Sequence, residues 1–173
     1  LKTAMARVHA SDMYPRDMLC AKLERLEWLT AHYCSRVATK HVCADAVMLE
    51  MTRLKREDPR YKAILVTDSS SCGQYVSRKW EGSVGIMQRP FGSNARLCHA
   101  ALRSFQNGEI DLLVCSNEAM QTGINLQEAC HIFFVEQRIS DPIFHQACTR
   151  IARYGTQHAE LSATFVYARN TVE

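Results

Sequence analysis

Ile110-Asp111-Leu112-Leu113-Val114-Cys115-Ser116-Asn117-Glu118-Ala119-Met120-Gln121-Thr122-Gly123-Ile124-Asn125-Leu126 is the stretch on which the fold turns. Ile110 to Cys115 reads as a strand and residues 116–125 as the loop that leaves it. Downstream, Ile132-Phe133-Phe134-Val135 is a second strand. Asp141-Pro142 then sets a capping side chain before a proline at the first helical position, which predicts a helix over 142–154. Leu161 to Tyr167 is a closing strand, and Asn170 can cap another helix. Upstream lie a helix from Asn94 to Phe105, a short strand Val84-Gly85-Ile86-Met87, and a helix capped by Ser69-Ser70-Ser71 that runs to about Glu81. Ala63-Ile64-Leu65-Val66 is a continuous apolar run, as in a strand buried on both faces. Before it, Cys43, Val47, Met51 and Leu54 recur at steps of three and four in a helix over 39–56, which Asp58-Pro59 stops. Residues 20–33 read as a further helix. Strands alternating with helices in this way predict an α/β domain with a mainly parallel sheet.

Composition agrees with one such domain. The chain has 173 residues, 47% apolar and 23% charged, enough for a single core. No apolar run approaches the ~20 residues that cross a bilayer, so no membrane partner is expected. The start at Leu1 shows neither an initiator Met nor a signal-peptide apolar region, and is expected to be a cut from a longer protein. Net charge is +3, with 11 Lys/Arg against 8 Asp/Glu in residues 1–60 and 10 against 10 thereafter, so composition permits a nucleic-acid partner without demanding one. The eight cysteines form no C-x-x-C pair, and His32-Tyr33-Cys34 with His41-Val42-Cys43 miss the usual zinc spacings. We therefore expect no metal site, and thiols kept in a reducing compartment.

In parallel sheets ligands gather beyond the carboxyl ends of the strands, which singles out loops 67–71, 116–125 and 136–141. The helix after the third has two faces. Ile143, Phe144, Ala147, Cys148 and Ile151 form the apolar one, while Gln146, Arg150 and Arg153 converge within roughly 60° on another. Two guanidiniums and an amide on one stripe can clamp phosphate oxygens, because arginine meets phosphate bidentately and keeps its charge. By spacing alone the same stripe also suits a solvated helix face.

Gln146-Ala147-Cys148-Thr149-Arg150-Ile151-Ala152-Arg153-Tyr154-Gly155 resembles motif six of superfamily-two helicases, in the Swi/Snf form Q-A-x-x-R-x-x-R-x-G. Ser116 to Leu126 is similar to that family's motif five, S-T-R-A-G-G-L-G-I-N-L, with Ser, Ala, Gly, Ile, Asn and Leu at matching positions. Lys62-Ala63-Ile64-Leu65-Val66-Thr67 resembles the motif-four strand, although residue type alone fits any buried strand equally well. The resemblance covers about residues 38–173 and leaves 1–37 as a helical lead-in or linker. It implies a RecA-like three-layer lobe, the second of two, that completes an ATP site held by a first lobe. Val135-Glu136, with Gln146 ten residues on, and Arg56-Glu57-Asp58-Pro59 are similar to the RING-bearing ubiquitin-ligase branch.

The resemblance also implies roles. Arg153 would be the arginine finger with Arg150 beside it; Gln146, Gly123 and Asn125 would belong to the ATP side; Thr67 and Ser116 would meet DNA phosphate. Three departures stand out: Glu118 replaces the motif-five Arg, Met120-Gln121 replace two glycines, and Thr149 and Ala152 replace the motif-six Gly and His. The chain has no G-x-x-x-x-G-K-[ST] and no Asp-Glu dipeptide, so the phosphate cradle and the Mg2+ ligands are expected on the preceding lobe. The fragment is thus expected to be inactive alone, and active with ATP and Mg2+ as part of a nuclear double-stranded DNA translocase working on chromatin or in DNA repair, with nucleosomes as a partner. An RNA helicase lobe and a degenerate, non-catalytic interaction platform are the alternatives.

Overall fold

In the computed structural model, residues 38–88, 94–135, 141–156 and 158–166 are described. The helix expected over 20–33, the lead-in 1–37, most of loop 136–141 and the end of the chain from 167 lie outside them. The described chain runs α1 (Ala38–Glu57), β1 (Ala63–Val66), α2 (Ser70–Lys79), β2 (Val84–Met87), α3 (Ala95–Gln106), β3 (Leu112–Cys115), α4 (Asn117–Gln121), β4 (His131–Phe134), α5 (Asp141–Ile151) and β5 (Ser162–Phe165). Every paired strand is parallel, and the order across the sheet is β2-β3-β1-β4-β5. This is the α/β architecture expected.

The apolar runs become strands because both faces of the sheet are covered. Ala63, Leu65, Leu112, Val114 and Phe133 pack with Val47, Met51 and Val76, beneath α1 and α2. Ile64, Val66, Leu113, Cys115, Ile132 and Phe134 pack on the opposite side with Phe105, Met120, Ala147 and Ile151, beneath α3, α4 and α5. Period-two alternation thus sends neighbouring residues of one strand into two separate cores, which makes three layers. β5 is the exception, exposed along all four residues at the edge of the sheet, where Phe165 still stacks on Phe134 and Phe144.

Local chemistry sets the helix ends. Ser69 accepts a hydrogen bond from the Cys72 amide, as its position before α2 predicts. Two differences from the sequence reading concern the candidate site. Segment 116–125, read as a loop, contains α4, started by Ser116 Oγ accepting from the Ala119 amide and held down by buried Ala119 and Met120. The helix expected over 142–154 ends at Ile151. There the Leu126 amide donates to the Arg150 carbonyl, and Gly155 at φ +95 turns the chain away. Arg153 therefore lies in the turn after α5, and only Gln146 and Arg150 share a helical stripe.

A buried polar chain crosses the other half of the sheet. His131, 8% exposed, stacks on Phe133 with centroids 3.9 Å apart. Its Nδ1 lies 2.7 Å from the Tyr61 hydroxyl and its Nε2 lies 2.8 Å from Thr164 Oγ1. Burial pulls the imidazole down to a pKa of about 4 and pushes the Tyr61 phenol up. The ring is neutral and ties β4 to β5.

Candidate nucleotide and nucleic-acid interface

The chain order reverses across β1: β3 pairs on one side of it and β4 on the other. Such a reversal opens a crevice above the carboxyl ends of the strands. Thr67 and Ser116 stand there together. The Thr67 amide donates to the Cys115 carbonyl, and the Ser116 amide donates to the Met87 carbonyl. Both residues are buried by their neighbours.

Three residues that the sequence reading passed over fasten this edge. Asp68 reaches the loop after β3, where its Oδ1 accepts from the Asn117 amide and its Oδ2 from Asn117 Nδ2, each at 2.8 Å. Gln88 Nε2 donates to the carbonyls of Thr67 at 2.9 Å and Ser69 at 3.1 Å. Asp, Asn and Gln near strand ends are common enough that nothing in the one-dimensional pattern marks these out. Only the adjacency of β1, β2 and β3 brings them together.

The second group of predicted residues lies toward the opposite edge. Helices α3 and α5 run back from the carboxyl edge, and Asn125 and Arg150 sit beside their ends. Gln106 Nε2, in the last turn of α3, donates to the Asn125 carbonyl at 2.9 Å. Arg150, in the last turn of α5, directs Nε to the Met120 carbonyl of α4 at 3.3 Å, while its own carbonyl receives the Leu126 amide. That contact occupies one edge of the guanidinium and leaves its terminal nitrogens for other acceptors. Arg153 turns Nε toward the Thr149 carbonyl at 3.4 Å, and Tyr154 beside it is fully exposed. Gly123 takes φ +71 with open space where a side chain would start, so its glycine answers a backbone need. Asn125 Nδ2 donates to Gln127 Oε1, and its Oδ1 is buried without a partner among the described residues. Gln146 is exposed one turn before Arg150.

The predicted residues therefore form two clusters: Thr67 with Ser116 at the carboxyl edge, and Arg150 with the 123–126 segment near the ends of α3 and α5. The five residues of α4 join them, with Ser116 at one end and the Arg150 contact at Met120.

The model for the helicase conserved C-terminal domain matches residues 45–155, more than half of the chain, from within α1 to Gly155. The chain belongs to this family. None of the curated proteins is significantly similar to it in sequence. Among solved structures, this helicase C-terminal domain is similar to the C-terminal part of the Fun30 ATPase domain, at 19% identity and a TM-score of 0.60 over 73% of this chain and 41% of that one. It is also similar to the Pyrococcus furiosus Hef helicase domain, at 14% identity and a TM-score of 0.53 over 73% of this chain and 25% of that one. Domain 2 of the Mss116p DEAD-box helicase, solved bound to an RNA duplex, gives 17% identity and a TM-score of 0.54 over 74% of this chain and 51% of that one. At these identities the likeness is one of fold, that of the RecA-like second lobe of superfamily-two helicases. The helicase C-terminal domain described here thus spans between a quarter and about half of the chains it resembles. Domains of this family work within ATP-dependent enzymes of the helicase type.

Proposed function

We propose that this chain is the second motor lobe of an ATP-dependent double-stranded DNA translocase of the Swi/Snf type, a nuclear chromatin remodeller or repair factor. ATP and Mg2+ are held by a first lobe of the same protein, and Arg150 and Arg153 of this lobe reach across the cleft between them. The observation that carries the reading is Arg150 in the last turn of α5, bonded to Leu126 of the 123–126 segment and to Met120 of α4, with Arg153 in the turn that follows and α4 leading to Ser116 at the sheet edge. The residues fit a triphosphate: two guanidiniums offer fork-shaped donors, and neither has a carboxylate partner among the described residues.

In this mechanism Arg153 meets charge that develops on the transferred phosphoryl group, and Arg150 orients the nucleotide from a position braced by α4. Thr67 and Ser116, buried at the carboxyl edge with their amides bonded within the sheet, shape the surface along which the DNA backbone passes, a contact that positions without reading sequence. Exposed Glu118 stands where the family's motif five carries an arginine, so the grip on phosphate is weaker than that motif implies.

The test uses the full-length protein. Arg153→Ala is expected to lower DNA-stimulated ATP hydrolysis by about 10³-fold or more with ATP affinity largely kept, because the lost interaction belongs to the transition state. Arg153→Lys is expected to rescue poorly. Arg103→Ala, on the exposed side of α3, is the control and should match wild type. Normal turnover by Arg153→Ala overturns the motor reading in favour of a non-catalytic interaction platform. Stimulation by duplex RNA and not by duplex DNA would assign the lobe to an RNA helicase.

A further inference from the structure

Asp68 is an unexpected residue at an edge meant for phosphate. A carboxylate there works against polyanion binding, and Glu118 nearby in sequence already does so. Its contacts explain its presence. Asp68 spends both oxygens on one residue, accepting from the main-chain amide and from the side-chain amide of Asn117, which is 49 positions away in the chain. Two parallel N–H···O contacts to one ionised acceptor fix direction as well as distance. The main-chain member of the pair belongs to the first residue of α4, so the carboxylate sets where that helix begins.

Everything this pair touches leads to the two candidate clusters. Upstream, Asp68 follows Thr67, whose carbonyl is held by Gln88 Nε2. The Gln88 amide packs against Gly73 so closely that a Cβ there would meet Oε1 at 2.7 Å, so this placement of Gln88 requires the glycine. Downstream, Asn117 follows Ser116 and opens α4, and α4 receives the Arg150 guanidinium at Met120. Only three positions thus separate the clamp at Asn117 from the arginine contact at Met120. A helix this short has few hydrogen bonds of its own, so its placement depends on what holds its two ends.

We propose that the Asp68–Asn117 pair is a positioning clamp that locks the loops after β1 and β3 into one nucleic-acid-facing unit and, through α4, sets the position of Arg150. The inference rests on the motor reading above and adds to it how the nucleic-acid edge is connected to the nucleotide side. Neither residue needs to touch nucleic acid or ATP.

Exchange of the two partners tests it. Asn117→Asp places two carboxylates face to face. Asp68→Asn combined with Asn117→Asp restores the pair with its polarity reversed, since the amide at 68 can accept from the main-chain N–H and donate to the new carboxylate. In the full-length protein, Asn117→Asp is expected to raise the concentration of duplex DNA needed for half-maximal ATPase stimulation about tenfold and, through Arg150, to lower turnover at saturating DNA, with melting temperature little changed. The double variant should return to within about twofold of wild type; because it restores net charge as well as the pair, Asp68→Ala separates the two, since it removes a negative charge yet should raise that concentration too if the pair is what matters. The clamp is overturned if Asn117→Asp leaves that concentration unchanged, or if the double variant stays as impaired as the single one. A wild-type protein that duplex DNA fails to stimulate removes the motor reading, and the coupling role with it. A stimulated wild type with an indifferent Asn117→Asp removes the clamp alone.

Discussion

Acidification should weaken this domain through one residue, His131. Its folded pKa of about 4 lies well below the 6.5 of an ordinary histidine, with burial as the main cause. The neutral form is therefore favoured by folding, and between pH 6.5 and 4 the unfolded chain binds more protons than the native one. Stability from this group is complete above pH 6.5 and declines as pH falls toward 4. The full shift is worth about 3 kcal/mol, and linkage across the two titrations puts the loss between pH 7 and pH 5 at about 2 kcal/mol. That is a large share of the stability of an ordinary domain, at roughly 5–15 kcal/mol. Urea unfolding followed by circular dichroism at pH 7 and 5 measures it, with His131→Gln as the reference. An amide keeps a donor and an acceptor for Tyr61 and Thr164 but does not titrate. The variant should lose about 2 kcal/mol less than wild type over the same interval. Equal losses in both proteins would refute the reasoning and place the acid sensitivity outside His131; Asp45, whose carboxyl the Lys79 hydrogen bond holds below its usual range, acts only at lower pH.

Two substitutions probe helix starts at the candidate site. In the full-length protein, Glu118→Arg should tighten duplex DNA binding and steepen its salt dependence by about one ion, while costing α4 a few tenths of a kcal/mol for a cation in its first turn; an unchanged salt slope would take segment 116–123 off the DNA path. Ser69→Ala removes the oxygen that caps α2 and should cost about 1 kcal/mol in urea unfolding. An unchanged midpoint would mean that water replaces the cap.

The strands were legible because a parallel sheet buries both faces. Ala63–Val66 has no polar residue to place it on a surface, and each of its four residues is buried. The closing strand was legible as well, although its side chains remain exposed. The sheet order was not, since nothing local to β3 says that it inserts between β1 and β2. The short helix α4 was missed because Asn-Glu-Ala-Met-Gln has too few residues to show a period, and because its start depends on Asp68, 49 residues away. The end of α5 was overrun for a related reason: Ala152 and Arg153 suit a helix, and what stops them is the Leu126 amide at Arg150 together with Gly155. Long-range hydrogen bonds were what one-dimensional pattern could not supply, and at the candidate site they are concentrated.

Each strand of the sheet has only four residues. At about 3.3 Å per residue the sheet is roughly 13 Å deep from edge to edge. A plate that shallow has little leverage: tilting one edge by five degrees about the other moves it by only about 1 Å on that depth. Bending within the lobe is therefore far too small a stroke to advance along a duplex, whose base pairs are about 3.4 Å apart. In the motor proposed above, displacement would then come from swinging this lobe as a block, the sheet serving as its foot and not as its spring.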